Sequence, residues 1–315
     1  MLPERILVIR LSAMGDILHA LPAVATLRRS FPGCRISWAV KPRFRELLDG
    51  GGLADEVIPI DRGSYAGVRE SARRLRSAPF DLAIDFQGLV QSALVATVSG
   101  ASRIIGFDAA QVRERPATLF YSSAVSTRSA HVVDMNLELA AAAGARQIAI
   151  EFPLPPGRPE GDLPAGPFVL AAPIAGWASK QWPLENYSAV AARLKRELGV
   201  TLVLNGSPAQ QARLRQVAGA QIHLSTISGL IDATRRCAAT LGVDSGPMHL
   251  GAALGRPGVA VFGPTDPVRN GPYSALVCVL RSPLARNSYK RGADIDASMR
   301  ATGPDEVFEA LKAVL

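Results

Sequence analysis

Short aliphatic runs alternate with longer stretches whose apolar positions recur every three or four residues, and this alternation fills most of the chain. The first pattern predicts buried strands over residues 5–11, 35–40, 56–60 and 82–86. The second predicts a helix ending at Arg29 and further helices over 69–77 and 91–99. In the second half, strands are predicted over 168–172, 200–205, 240–243 and 258–262, with helices over 183–198, 208–217, 231–238, 247–254 and 304–315. Pro304 falls in the first turn of the last helix, where its missing N–H costs nothing. Strands alternating with helices imply βαβ units and parallel sheets. Residues 151–167 read EFPLPPGRPEGDLPAGP, more than half Pro or Gly, which neither a helix nor a sheet interior tolerates. The expected organisation is therefore two Rossmann-like, doubly wound domains, 1–155 and 156–315, each offering the carboxyl ends of its strands to a central cleft. The C-terminal helix has the option of packing back on the first domain.

Four turns follow predicted strands and carry chemistry. In Arg10-Leu11-Ser12-Ala13-Met14-Gly15-Asp16-Ile17-Leu18-His19 a strand runs through a Gly-containing turn into a helix. Asp16 fits a helix cap, since its oxygen accepts a backbone N–H, and it fits a general base in the cleft equally well. In Gly242-Val243-Asp244-Ser245-Gly246-Pro247-Met248-His249 the free N–H groups at a helix start make an anion site. His249 there either packs or contacts phosphate. In Gly176-Trp177-Ala178-Ser179-Lys180-Gln181-Trp182-Pro183, Lys180 is a point charge suited to a departing diphosphate, or a solvated surface residue. Phe262-Gly263-Pro264-Thr265-Asp266-Pro267 is rich in turn formers, and Thr265 offers a further phosphate contact. No Walker A motif is present and no G-x-G-x-x-G follows a strand, which argues against a P-loop enzyme or an ordinary dehydrogenase.

Composition narrows the partners. A net charge of +8 favours anionic ones, but aromatics are sparse and no basic-aromatic stripe occurs, so nucleic acid is excluded. No apolar run reaches spanning length, and Arg5 and Arg10 interrupt the N-terminal one, so a soluble cytoplasmic chain without signal peptide is expected. Cys34, Cys237 and Cys278 lack metal-ligand spacing and read as free thiols. Asp294-Ile295-Asp296 reads as surface, not as a metal-binding D-x-D.

Taken together, S-A-M-G-D-I-L-H-A-L-P-A, D-F-Q-G-L, R-E-R-P-A-T-L-F-Y, K-Q-W-P and V-D-S-G-P-M-H-L…F-G-P-T-D-P resemble glycosyltransferase family 9, in order from about Arg5 to Pro267. The S-x-M-G-D-x-L-H form favours its type I branch over type II. The resemblance implies a GT-B fold and inverting, metal-free transfer of L-glycero-D-manno-heptose from ADP-heptose to Kdo of Kdo-lipid A, with no cofactor. By position it implies Asp16 as catalytic base and Lys180 at the donor phosphates. Asp244 would contact the heptose, and Ser245, Gly246, Pro247 and His249 would cradle the diphosphate. Gln210 stands where the family has a ribose-binding glutamate, and Ala175 and Gly176 replace a pair of hydroxyl residues. On the acceptor side it implies Ser12, Met14, Gly15, Gln87, Gly88 and Arg113.

Arg62, Arg69, Arg73, Arg74 and Arg76 crowd one predicted helix and its approach, relieved only by Glu70. Arg62 and Arg73 are candidate contacts to the phosphates and carboxylates of a membrane-borne acceptor. A monomer, peripheral at the inner face of the inner membrane, is expected. The competing readings are a type II heptosyltransferase or another nucleotide-sugar donor, a GT-B-shaped sugar-nucleotide epimerase, and a non-catalytic lipid A- or nucleotide-binding protein.

Overall fold

The computed structural model describes residues 2–77, 79–288 and 292–315. It divides into two compact units, Met1–Pro155 and Pro156–Leu315.

In the first unit the elements run β1 (Arg5–Ile9), α1 (Met14–Ser30), β2 (Arg35–Val40), β3 (Glu56–Pro59), α2 (Tyr65–Leu75), β4 (Leu82–Asp85), α3 (Val90–Val98), β5 (Arg103–Phe107), β6 (Ser123–Val125) and α4 (Val132–Ala142). The strands form one sheet in the order β3-β2-β1-β4-β5-β6, every pair parallel. Central β1 pairs Ile6 with Ile36 on one side and with Leu82 on the other. Its Ile6, Leu7, Val8 and Ile9 are all fully buried. A parallel strand covered on both faces has no solvent side to alternate with, hence the unbroken apolar run.

The second unit continues with β7 (Phe168–Ala172), α5 (Leu184–Arg193), β8 (Thr201–Gly206), α6 (Gln211–Leu214), β9 (Gln221–Leu224), α7 (Ile227–Arg236), β10 (Ala239–Val243), α8 (Gly246–Ala253), β11 (Gly258–Phe262), α9 (Pro267–Asn270), β12 (Val277–Arg281), α10 (Ala297–Ala301) and α11 (Pro304–Val314). Its sheet is ordered β12-β11-β10-β7-β8-β9, again parallel throughout. Its core centres on Trp182, whose ring meets Tyr187 edge-on at 4.8 Å and whose Nε1 donates to the Thr302 carbonyl at 2.8 Å. α11 packs on α5 within this same unit, where Arg193 lies over the Phe308 ring.

Counted along the chain, both sheets follow the order 3-2-1-4-5-6, which reverses direction between the first and fourth strands. Loops leaving those two strands diverge and open a crevice at their carboxyl ends. The reversal falls between β1 and β4 in the first unit and between β7 and β10 in the second.

Local differences from the sequence reading have local causes. The stretch predicted as one helix from 183 to 198 is α5 followed by a wider turn, Leu194–Leu198, closed by Gly199 at φ 68. A glycine there carries no Cβ penalty in the left-handed region. The Pro-rich stretch lacks helix and strand, as its composition requires, yet Leu154 and Pro155 are buried. Gly157, at φ +81, passes so close to α7 that a Cβ would lie 2.6 Å from the Asp232 nitrogen.

Gly106 in β5 leaves room for a ring that reaches the end of β4. A Cβ there would run into the Tyr121 ring, whose hydroxyl donates to Asp85 at 2.7 Å. Gly106→Ala is therefore expected to lose about 1–3 kcal/mol of stability by forcing that ring aside. Urea unfolding checks this, and a wild-type midpoint would mean that Tyr121 yields freely.

Candidate active site

In the first unit the site grows from the β1–β4 reversal. After β1 the chain passes through Arg10, Leu11, Ser12 and Ala13 before α1 begins. The residue at the helix N-cap is Ala13, so Asp16 is not the cap itself. It sits three residues later and reaches back, accepting the Ala13 N–H at 2.9 Å on Oδ2. This is the reciprocal half of a capping box. The other oxygen, Oδ1, lies 2.8 Å from Arg10 Nη2, with 29% of the Asp16 side chain and 8% of Arg10 exposed. Burial pushes the Asp16 carboxyl up, but the Arg10 charge, the Ala13 N–H and the more distant Arg113 charge outweigh it and hold it below its ordinary value.

The facing loop comes from the end of β4. Gln87 Oε1 accepts the Leu11 N–H at 2.7 Å and the Ser12 N–H at 3.3 Å, stitching the two loops together. Gln87 Nε2 is buried with no hydrogen-bond partner among the described residues, an unused donor. Asp85 shapes this loop: its Oδ1 accepts from the Gln87 and Gly88 nitrogens, and its Oδ2 from Ser92 Oγ and the Tyr121 hydroxyl. Complete burial raises the Asp85 carboxyl above its usual range despite those four donors. Gly88 has φ +67, and a Cβ there would meet Val112 at 3.0 Å, which brings the loop carrying Arg113 close by. Arg113 itself is exposed. Met14 buries its side chain, leaving only its backbone and that of Gly15 at the helix start.

Arg62 donates to Gln91 on α3, and Arg73 grips Glu70 through two bonds of 2.7 and 2.6 Å. Arg74 shares that carboxylate at 2.7 Å. The basic cluster is thus partly neutralised within its own helix, and the two guanidiniums hold Glu70 down to about 2.

In the second unit the groups gather at the β7–β10 reversal. Asp244 follows β10 directly, and Lys180 lies on the long connection after β7. Their Oδ2 and Nζ are 2.5 Å apart, with only 16% of the Lys180 and 10% of the Asp244 side chain exposed. The Lys180 ammonium also sits 4.2 Å above the Trp177 ring. From α8, buried His249 brings Nε2 to 3.3 Å from Asp244 Oδ1. Burial alone would raise the Asp244 carboxyl, but the His249 hydrogen bond and the Lys180 charge drive it far below the ordinary range. Ser245 is the N-cap of α8 without using its side chain, and Pro247 occupies the first turn. Ser245 Oγ and, on the loop after β11, Thr265 Oγ1 are buried with no hydrogen-bond partner among the described residues. Two unused hydroxyls and the Gly246 end of a helix dipole suit an anion.

Gln210 is otherwise engaged. Its Oε1 accepts the Ser207 N–H at 2.9 Å and so caps its own turn, leaving the amide nitrogen for a ligand. Asp296 caps α10 by accepting from the Ser298 nitrogen at 2.9 Å and is half-buried, while Asp294 is exposed. Among the described residues no three His, Cys, Asp or Glu side chains gather as a metal-binding group. Sequence reasoning overlooked Arg10 and Asp85. A charged residue ending an otherwise apolar central strand was the available signal for both.

The chain is 28% identical to lipopolysaccharide heptosyltransferase 1 of Pseudomonas aeruginosa, over 85% of this chain and 81% of that protein. It is 29% identical to lipopolysaccharide heptosyltransferase 1 of Escherichia coli, over 89% and 94% respectively. Its structure is similar to that of the E. coli heptosyltransferase WaaC with ADP-2-deoxy-2-fluoro heptose, at a TM-score of 0.77 and 25% identity, covering 99% of this chain and all of the other. The two parallel sheets are accordingly those of the GT-B fold. The model of glycosyltransferase family 9 (heptosyltransferase) matches residues 68–295, and the chain belongs to that family.

Proposed function

We propose that this chain transfers L-glycero-D-manno-heptose from ADP-heptose to a Kdo hydroxyl of Kdo-lipid A, inverting the anomeric carbon. The observation that carries the reading is the pairing of chemistries at two strand-order reversals: an ionised carboxylate at β1–β4, and a cation with the unused Ser245 hydroxyl and a helix start at β7–β10. The lipopolysaccharide heptosyltransferase 1 relatives support the reaction, and the fluoro-heptose complex of WaaC supports the donor class.

In this reading Asp16 accepts the proton of the attacking hydroxyl, and the anomeric C–O bond to the diphosphate breaks with its electron pair leaving on ADP. Lys180, the Gly246 end of α8, Ser245 and Thr265 take up the developing phosphate charge. His249 and Lys180 orient Asp244 toward the heptose. The first unit holds the acceptor and the second the nucleotide sugar, with Gln210 reaching the ribose through its amide nitrogen. Ser12, the Met14 and Gly15 backbone, the free amide of Gln87, Gly88, Arg113 and Arg62 line the acceptor. The chain acts as a monomer at a membrane surface. The outward face of α2 suits that place, because Arg69, Arg73 and Arg76 are exposed beside Tyr65 and Val68.

Incubation with ADP-heptose and Kdo-lipid A, scored by mass spectrometry, is expected to add one heptose. Addition only to an acceptor already carrying a heptose would instead make the enzyme type II. Because protein groups supply the neutralising charge, full activity is expected in excess EDTA. Loss of activity that Mg²⁺ restores would overturn the metal-free mechanism.

A further inference from the structure

We propose that Arg10 is a positioning residue for the transfer, a buried two-point clamp that fixes the Asp16 carboxylate in one orientation; this rests on the reading of Asp16 as the base. Arg10 is the first residue after β1 and is 7% exposed. A guanidinium is rarely buried unless its N–H groups are used; here the two terminal nitrogens join two elements, while Nε has no hydrogen-bond partner among the described residues. Nη1 donates to the Phe86 carbonyl, at the end of β4, and Nη2 pairs with Asp16 Oδ1, on α1. The Arg10 backbone is held as well, its carbonyl accepting Trp38 Nε1 at 3.4 Å. One rigid planar group thereby transmits the position of the sheet to the reacting oxygen.

The rest of the shell completes the clamp. Ala13 N–H holds Oδ2, so the carboxylate has a fixed partner on each oxygen and cannot rotate without breaking one. A carboxylate oxygen accepts in two directions, so each oxygen keeps one for a substrate hydroxyl. The charged groups facing Asp16 are Arg10 and Arg113, and only Arg10 touches it. Arg113 is exposed and screened, whereas the buried Arg10 charge acts at nearly full strength.

A neighbouring cation weakens Asp16 as a base, yet the chemistry tolerates that weakness. As the bond between the Kdo oxygen and the anomeric carbon forms, the hydroxyl becomes far more acidic. Its proton then passes to a weak base once that bond is largely made. What the in-line displacement does require is the oxygen held at the right angle and distance, and the clamp supplies this. A simple structural tie between β1 and β4 would need only the Nη1 bond. The Nη2 contact has no part in joining those strands.

The test measures kcat against pH for Arg10→Met and Arg10→Lys with ADP-heptose and Kdo-lipid A, alongside ADP affinity. Arg10→Met is expected to lower kcat about 100-fold with ADP affinity unchanged. Its acid limb should move up, because the opposite charge that keeps Asp16 ionised is gone. Arg10→Lys should keep the acid limb near that of the wild type but leave kcat about tenfold low, since one ammonium does not span both acceptors. On an Asp16→Asn background, Arg10→Met should cost nothing more. A folded, ADP-binding Arg10→Met with wild-type kcat and acid limb would overturn the clamp. Should that variant not fold, Arg10→Lys with wild-type kcat would do so. An active Asp16→Asn sinks the base assignment, whereas an inactive one beside an unaffected Arg10 series sinks the clamp alone.

Discussion

Asp16→Asn is expected to reduce heptosyl transfer by about 10³-fold, within the usual range for a lost general base. The amide keeps the shape of the carboxylate, and its oxygen can still accept the Ala13 N–H, so α1 should start where it does now. It cannot take a proton from the attacking hydroxyl, and it leaves the buried Arg10 guanidinium without an anionic partner. ADP affinity should hold, because Lys180, Asp244 and Ser245 all belong to the other compact unit. The pH dependence has a definite sign. The Asp16 carboxyl is lowered in the folded state, so its stabilising contribution is complete above the unfolded value of about 3.9 and is lost as pH falls through the lowered one. At neutral pH it is ionised throughout, and wild-type activity should show no Asp16 limb above the ordinary carboxylate range. Wild-type turnover by Asp16→Asn, measured beside calorimetric ADP binding, would remove Asp16 from the chemistry.

The strands that carry the site were the readable ones. β2, β7 and β11 were predicted residue for residue, because central parallel strands are buried on both faces and leave an uninterrupted apolar signature. Three of the four edge strands do not, β3 being the exception, read over 56–60. β6 is three residues long and mostly exposed, β12 alternates weakly, and β9 carries Gln221 and His223, so none was predicted. β5 was also missed, its apolar core shortened by Gly106, and so was α4, which packs on α1 and is apolar on several sides. The candidate site was legible as residue types after strands. Its pairings were not. Lys180 and Asp244 are 64 residues apart, and Arg10 meets Phe86 across 76, so both contacts exist only through a sheet order that reverses between first and fourth strands. Asp16 likewise looked like either a cap or a base, and the sequence could not show what each of its two oxygens meets. It serves the helix with one and faces a buried cation with the other.

Lys180→Ala is expected to lower kcat/KM for ADP-heptose by about 10²–10³-fold, the scale seen when one preorganised group is withdrawn from developing charge. Part of that loss should appear as weaker ADP binding and part in kcat, because the charge on the departing diphosphate exceeds that of the bound donor. The variant also tests the buried pair. Without Lys180, Asp244 keeps only His249 as a side-chain partner among the described residues, and an ionised carboxylate that is 10% exposed becomes costly, on the order of 3 kcal/mol. The Asp244 carboxyl is lowered in the folded protein, so it stabilises the fold above about pH 3.9, and that support is lost as pH falls through the lowered value. With Lys180 gone the folded value moves back up, and acid unfolding should begin at higher pH than in the wild type. Lys180→Arg separates the two effects. It keeps the charge and the contact with the Trp177 ring, and should restore acid stability while recovering only part of the rate, since a planar fork replaces a compact ammonium. Unchanged donor kinetics in Lys180→Ala would exclude Lys180 from the reaction. A lost rate without any change in acid unfolding would mean that Lys180 serves the diphosphate alone and that His249 suffices to hold Asp244.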